Sequence, residues 1–197
     1  MAVNNSSSNL SEIKQLDNLA NILKERSEWQ RIMSLDAEKK VDVYLDLKSP
    51  HAYLAVRPSL EVARDYRVRI NFLPFTLSYE THGLTTSIES DMKRRPASAA
   101  ADRKARMYYT AAREYASLQG LPFRTPHRML DSTLAHKAFL FAKKQNLEVP
   151  FIMQVYLHGW GSGWRTYELE SEVQLQASLV AAGAILEGFD EYVATNG

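Results

Sequence analysis

The feature that most constrains the fold is a strand-like run that leads directly into the start of a helix. Apolar and polar residues alternate over 41–46, as they do in a half-buried strand. The helix that follows has Ser49 in the N-cap position and Pro50 in its first turn. The free N–H groups and the dipole of a helix N-terminus both favour negative charge. This junction therefore predicts a small anion site with a hydroxyl group beside it.

The neighbouring segments predict a mixed α/β domain. A strand over 41–47, a helix over 50–65 and a second strand over 67–72 form a βαβ unit within residues 41–77. Residues 1–40 are expected to be an N-terminal extension with one helix over 11–33. Residues 78–197 are expected to be a helical insertion domain, with helices over 98–119, 132–146, 150–158, 171–182 and 187–196 and a short helix that ends at Arg94-Arg95-Pro96.

Composition excludes several classes of function. The chain has 197 residues and a net charge of +1, so it shows no electrostatic preference for nucleic acid or for an acidic membrane. It contains no cysteine, so it holds no dithiol, disulfide or thiolate metal site of its own. The histidines lack metal-site spacing, so we predict no metal. The polar N-terminus without an apolar core predicts a cytoplasmic location.

Several motifs in the correct order carry a family resemblance. Ser-Pro-His-Ala at 49–52 has the form of a thioredoxin-type Cys-Pro-His-Cys motif without its two sulfurs. Residues 46–55 resemble the active-site segment of 2-hydroxychromene-2-carboxylate isomerases and kappa-class glutathione transferases, which are thioredoxin-fold relatives of the disulfide oxidase DsbA. Segments at 71–77, 120–132 and 159–163 resemble later motifs of the same family.

The resemblance implies a thioredoxin-like fold with a large all-helical insertion. It implies a glutathione-dependent isomerase or transferase that acts on an electrophilic, aromatic small molecule, and it implies a homodimer. Ser49 would be the catalytic residue, because its hydroxyl would stabilise the thiolate of bound glutathione. The implied glutathione-binding residues are Ser49, Pro50, His51 and Ser132, and the implied substrate-pocket residues are Phe72, Pro74, Phe75 and Trp160.

Each of these roles has a simpler structural alternative. Ser49 can be an ordinary N-cap serine, and His51 can be either a cation beside the sulfur or a neutral ring that faces solvent. The apolar pocket residues can be ordinary core, and Trp160 can be a packing anchor. Asp131 stands where the family has an amide, and either Asp131 or Ser132 can cap the helix that follows.

The chain also lacks a segment that the family pattern includes. No Val-Pro-Thr-like stretch follows residue 150, so the C-terminal hairpin and last helix of a thioredoxin fold are expected to be absent. The strand over 41–47 would then keep an uncovered edge. The alternative function is therefore a non-catalytic DsbA-like binding protein or an inactive fragment.

Overall fold

The computed structural model describes residue 37, residues 39–78 and residues 98–195, together with the backbone of two short strands between them. The helix predicted over 11–33 lies outside the described residues. The described elements begin with β1 (Lys40–Leu45), α1 (Pro50–Tyr66) and β2 (Arg69–Pro74). The strands β1 and β2 pair in parallel with Val43 opposite Phe72, and α1 connects them. This arrangement confirms the predicted βαβ unit.

A tight turn decides where β1 ends. The strand stops two residues before the predicted boundary because the backbone N–H of Ser49 donates to the carbonyl of Asp46 at 2.9 Å. The Asp46 side chain reinforces the turn by accepting from the backbone N–H of Lys48 at 3.1 Å. Aspartate commonly stabilises turns in this way, through a bond to the backbone two residues on.

A β-hairpin replaces one predicted helix. Strand β3 (Thr86–Ile88) pairs antiparallel with β4 (Arg94–Pro96). The prediction of a short helix ending at Arg94-Arg95-Pro96 was therefore wrong. The physical reason lies in Pro96, because a proline ring disfavours helical backbone at the residue before it and pushes that residue towards extended conformations.

The rest of the described chain is helical, as the sequence predicts. The elements are α2 (Ala99–Leu118), α3 (Thr133–Lys144), α4 (Glu148–Tyr156), a π-helical segment (Leu157–Ser162), α5 (Glu172–Ala182) and α6 (Phe189–Thr195). Gly183 ends α5 in the left-handed conformation at φ 93°. The helix predicted over 150–158 begins two residues earlier and continues into the π-helical segment.

The core lies between the βαβ unit and the helices that follow it. Helix α3 packs against β2 and also against α4, α5 and α6, so it joins the two halves of the domain. Helix α1 packs against β2 and α2. The largest fully buried aromatic side chains are those of Trp160, Trp164, Tyr156, Phe72, Phe139, Phe151 and Phe189. Burial of side chains of this size is the main source of stability for such a domain.

Strand β1 is less covered than the core elements. Within the described part of the chain it pairs with β2 alone. The side chains of Val41 and Tyr44 are 42% and 63% exposed. In the described ranges, no helix has the length and apolar character needed to cross a membrane.

Candidate active site

Ser49 lies at the start of α1, where the sequence places it. Its backbone is extended (φ −86°, ψ 126°), Pro50 occupies the first helical turn, and the Ser49 Oγ accepts a long, 3.5 Å hydrogen bond from the backbone N–H of Ala52. Proline fits this position because its missing N–H has no partner within the helix in any case. Ser49 thus caps the helix and leaves its hydroxyl proton free to donate elsewhere.

A cavity of about 460 Å³ opens beside this helix terminus. Ser49, Pro50 and His51 form one wall, so three of the four predicted glutathione-binding residues are together. Helix α2 supplies the facing wall, and two connecting segments complete the lining. The remaining lining residues are Lys48, Leu77, Ser78, Lys104, Ala105, Met107, Tyr108, Tyr109, Ala111, Pro126, His127, Arg128 and Met129. A space of this size with mainly apolar walls and a few polar groups is typical of a small-molecule site.

The fourth predicted residue, Ser132, is fully buried and does not line the cavity. Its hydroxyl donates to Asp46 Oδ1 at 2.6 Å. The cap of α3 comes from Asp131, whose Oδ1 accepts from the backbone N–H of Thr133 at 2.9 Å. Of the two capping alternatives, the structure therefore favours Asp131, while the hydroxyl of Ser132 is linked to the site through Asp46.

Asp46 is the centre of a buried polar network beneath the helix terminus. Its Oδ2 accepts from the backbone N–H of Leu77 at 2.7 Å and forms an ion pair with Lys48 at 3.3 Å. The ring of His136 approaches Oδ1 to 3.4 Å and contacts Thr76 Oγ1 at 2.9 Å through Nδ1. Lys48 and Leu77 both line the cavity. The Asp46 carboxylate therefore connects two parts of the cavity lining through its contacts with these residues.

The network also keeps the Asp46 carboxylate ionised. Burial by itself raises the pKa of this group, because a desolvated charge is unfavourable. Contacts with His136, Ser132 and the backbone N–H of Leu77 outweigh burial and lower the pKa of Asp46 to about 2. The negative charge close to Ser49 is thus paired within the protein, chiefly by hydrogen bonds and also by Lys48.

His51 packs its ring against Tyr108 in an edge-to-face arrangement, with 4.3 Å between the ring centres. Partial burial lowers the pKa of His51 below the value of a free imidazole. The ring is therefore mainly neutral near pH 7. The structure therefore agrees with the neutral alternative for the charge of His51, but the ring packs against Tyr108 and does not simply face solvent.

The four predicted substrate-pocket residues do not line this cavity. Phe72 is fully buried, Pro74 is half-buried at the end of β2, and Phe75 is 51% exposed. Trp160 is a core residue whose ring stacks against Phe123 at 5.2 Å and against Tyr53 at 6.0 Å. The substrate-pocket assignment of these four residues therefore stays a prediction, and the packing of Trp160 agrees with the packing-anchor alternative. Phe72 and Trp160 lie in the core because large apolar side chains stabilise the fold most when they are removed from water.

The sequence gives no prediction for the residues that form the opposite wall. Tyr108 brings its hydroxyl to 3.5 Å from Ser49 Oγ, across 59 positions of sequence. Four buried alanines of α2, at 101, 105, 112 and 116, lie at helical spacing on one face, and Tyr108 falls on that same face. A single large aromatic residue in a stripe of alanines is the signal that would have indicated Tyr108.

The parallel strand pair, the helix capped by Ser49 and the helical insertion after β2 define a thioredoxin-type domain. The chain belongs to the DSBA-like thioredoxin domain family, whose model matches residues 40–196. No curated protein matches the sequence. In the described residues, no group of three or more acidic or histidine side chains is placed to hold a metal ion.

Solved structures that share the fold include the following two. One is 2-hydroxychromene-2-carboxylate isomerase, with a TM-score of 0.56 and 18% identity over 80% of this chain and 72% of that chain. The other is a probable DsbA oxidoreductase from Streptomyces coelicolor, with a TM-score of 0.52 and 17% identity over 79% of this chain and 67% of that chain. At this level of identity the similarity shows the architecture of the domain.

Proposed function

We propose that this protein is a glutathione-dependent isomerase or transferase that acts on an electrophilic, aromatic small molecule. The observation that carries the proposal is the position of Ser49, which caps α1 at the wall of a cavity of about 460 Å³. One of the structural neighbours is named an isomerase, which supports this assignment. The chain has no cysteine, so the sulfur for such chemistry comes from the ligand.

The role of Ser49 follows from the chemistry of the thiol. A free thiol has a pKa of about 8.5, so it is mainly protonated at neutral pH. The N-terminus of α1 and the hydroxyl proton of Ser49 favour the thiolate, as helix N-termini do for protein cysteines. Ser49 donates a hydrogen bond to the sulfur and forms no covalent bond itself.

The reaction then proceeds through the sulfur of glutathione. The thiolate adds to an electrophilic carbon conjugated with a carbonyl, so a C–S bond forms and the electron pair moves to the carbonyl oxygen as an enolate. Rotation about the former double bond and expulsion of the thiolate give an isomer and regenerate glutathione. If the enolate takes a proton instead, the product is a conjugate. The apolar lining from Met107, Pro126 and Met129 suits an aromatic substrate.

Calorimetric titration with glutathione tests the proposal. We expect the wild-type protein to bind glutathione and Ser49→Ala to bind about tenfold more weakly, because a hydrogen bond to a charged group is lost. Ser59→Ala is the matched control, since Ser59 lies on the same helix and bonds the carbonyl of Ala55. The control should bind as the wild type does. Absence of binding by the wild-type chain would refute the proposal.

A second candidate is a non-catalytic protein that holds a small apolar ligand in the same cavity. The mainly apolar lining favours it, and so does Ala52, which is buried and offers no second reactive group where a Cys-Pro-His-Cys motif has one. Turnover separates the two candidates. Formation of a glutathione conjugate with a chlorodinitrobenzene substrate, dependent on Ser49, excludes the non-catalytic alternative.

A further inference from the structure

The cavity wall opposite Ser49 carries a second hydroxyl group that lies close to the hydroxyl of Ser49. Tyr108 lies on α2, and its hydroxyl oxygen is 3.5 Å from Ser49 Oγ. Hydroxyl groups that bond each other strongly approach to about 2.8 Å. The longer separation leaves room for each proton to point at a third atom in the cavity that both residues line.

The packing of α2 holds Tyr108 in this position. Ser98 caps the helix by accepting from the backbone N–H of Ala101 at 3.1 Å. The buried alanines on the same face let α2 pack against α1, and Ala105 and Ala112 lie one turn on either side of Tyr108. The tyrosine is thus the large side chain of this face, and it stands where α1 begins.

Contacts around the phenol ring restrict its orientation. The edge-to-face contact with His51, at 4.3 Å between ring centres, fixes one side, and Tyr109 contacts the ring edge-to-face at 5.9 Å. Burial raises the pKa of Tyr108, the hydrogen bond with Ser49 opposes the change, and the charge of Asp46 raises the pKa further. The phenol therefore remains a proton donor at neutral pH.

We propose that Tyr108 is a second thiolate-binding residue, whose hydroxyl donates to the sulfur of glutathione together with that of Ser49. This inference rests on the proposed function and identifies the bound species as the anion of a low-molecular-weight thiol. Sulfur is a large acceptor, so a thiolate can accept hydrogen bonds from two hydroxyl groups whose oxygens are 3.5 Å apart. Charge-assisted bonds of this kind are roughly twice as strong as neutral ones.

Other groups near the sulfur also affect its ionisation. Lys48 and Lys104 line the cavity and favour the thiolate, whereas the paired charge of Asp46 opposes it. The other titratable lining residues are His51, Tyr109, His127 and Arg128, and Arg128 is paired with Glu170 at 2.8 Å. The Tyr108 hydroxyl is therefore one of several groups that stabilise the thiolate. Without it, the pKa of the bound thiol should lie between that of glutathione bound to the wild type and that of free glutathione.

The pKa of the bound thiol is the quantity that tests the proposal. It is measured from the ultraviolet absorbance of the thiolate at saturating glutathione across neutral to mildly alkaline pH, with S-methylglutathione as the blank that lacks a thiol. We expect Tyr108→Phe to raise the pKa of the bound thiol by about one unit, which is a tenfold loss of thiolate stabilisation. Tyr115→Phe is the control, because Tyr115 is on α2 and is 57% exposed.

The outcomes separate the inference from the proposed function. Phenylalanine keeps the ring, so Tyr108→Phe should bind S-methylglutathione with an affinity within about twofold of wild type. If Ser49→Ala raises the thiol pKa and Tyr108→Phe leaves it unchanged, the inference is refuted and the proposed function stands. If Tyr108→Phe raises the thiol pKa but no longer binds S-methylglutathione, the residue has a structural role and the inference is refuted as well. If wild type binds no glutathione, both fail together.

Discussion

Replacement of Asp46 by asparagine tests whether the polar network beneath the site stabilises the fold through one ionised carboxylate. The side chain is 3% exposed and accepts hydrogen bonds from Ser132 Oγ at 2.6 Å and from the backbone N–H of Leu77 at 2.7 Å. Asparagine has nearly the same shape, but it carries no charge and presents an amide group where one acceptor oxygen was. The substitution therefore removes the electrostatic part of the network with little change in volume.

The magnitude follows from the pKa of the carboxyl group. The pKa of Asp46 is about 2 in the folded protein, against 3.8 for an unperturbed aspartate. One pKa unit corresponds to about 1.4 kcal/mol, so ionisation of Asp46 contributes about 2 kcal/mol to the free energy of unfolding at neutral pH. We expect Asp46→Asn to lower that free energy by a similar amount.

The pH dependence gives the sharper test. Because the folded-state pKa lies below the unfolded-state pKa, the contribution is complete well above 3.8 and is lost as the pH falls from 3.8 towards 2. The difference between wild type and Asp46→Asn should therefore be about 2 kcal/mol at about pH 7 and about half of that at about pH 3.

The measurement is urea denaturation followed by far-ultraviolet circular dichroism at several pH values. Asp65→Asn serves as the control, because Asp65 pairs with Arg64 at 2.8 Å on the protein surface and its side chain is 54% exposed. That variant should behave nearly as the wild type does. A difference between wild type and Asp46→Asn that stays constant with pH would show that the carboxylate charge does not stabilise the fold.

Two further substitutions test the packing around the site. In Gly159→Ala the new methyl group would overlap the buried indole of Trp164. We therefore expect the free energy of unfolding, measured by urea denaturation, to fall by about 1 to 3 kcal/mol. An unchanged free energy of unfolding would contradict this packing. Tyr53→Phe removes the hydroxyl that donates to the carbonyl of Pro122 at 2.9 Å. This change should lower the free energy of unfolding by about 1 kcal/mol and make proteolysis of the segment that contains Pro122 faster. An unchanged rate of cleavage there would show that this bond does not hold the segment.

The local features of the site could be predicted from the sequence. Proline after a serine, directly behind an alternating run, specifies a helix start through φ restriction and side-chain capping, which act over a few residues. The same local physics places Gly183 at the end of α5 and gives the helices of the insertion to within a few residues of their observed ends. The helical prediction for 94–96 was wrong, because Pro96 favours an extended backbone at the residue before it.

The opposite wall and the buried network depend on contacts between distant residues. Asp46 meets Ser132 across 86 positions and His136 meets Leu47 across 89, and neither pair is marked by any local pattern. A buried carboxylate gains its low pKa from all its partners together, so the charge state exists only in the folded chain.

What the sequence alone determined is the helix terminus that carries Ser49, because capping and dihedral preferences act within one turn of the chain. The tertiary structure decided what faces that terminus. It placed Tyr108 beside the hydroxyl and put Trp160 in the core, where its large apolar surface is removed from water. Packing across the whole domain determines both positions, and such packing has no short-range signature in a single sequence.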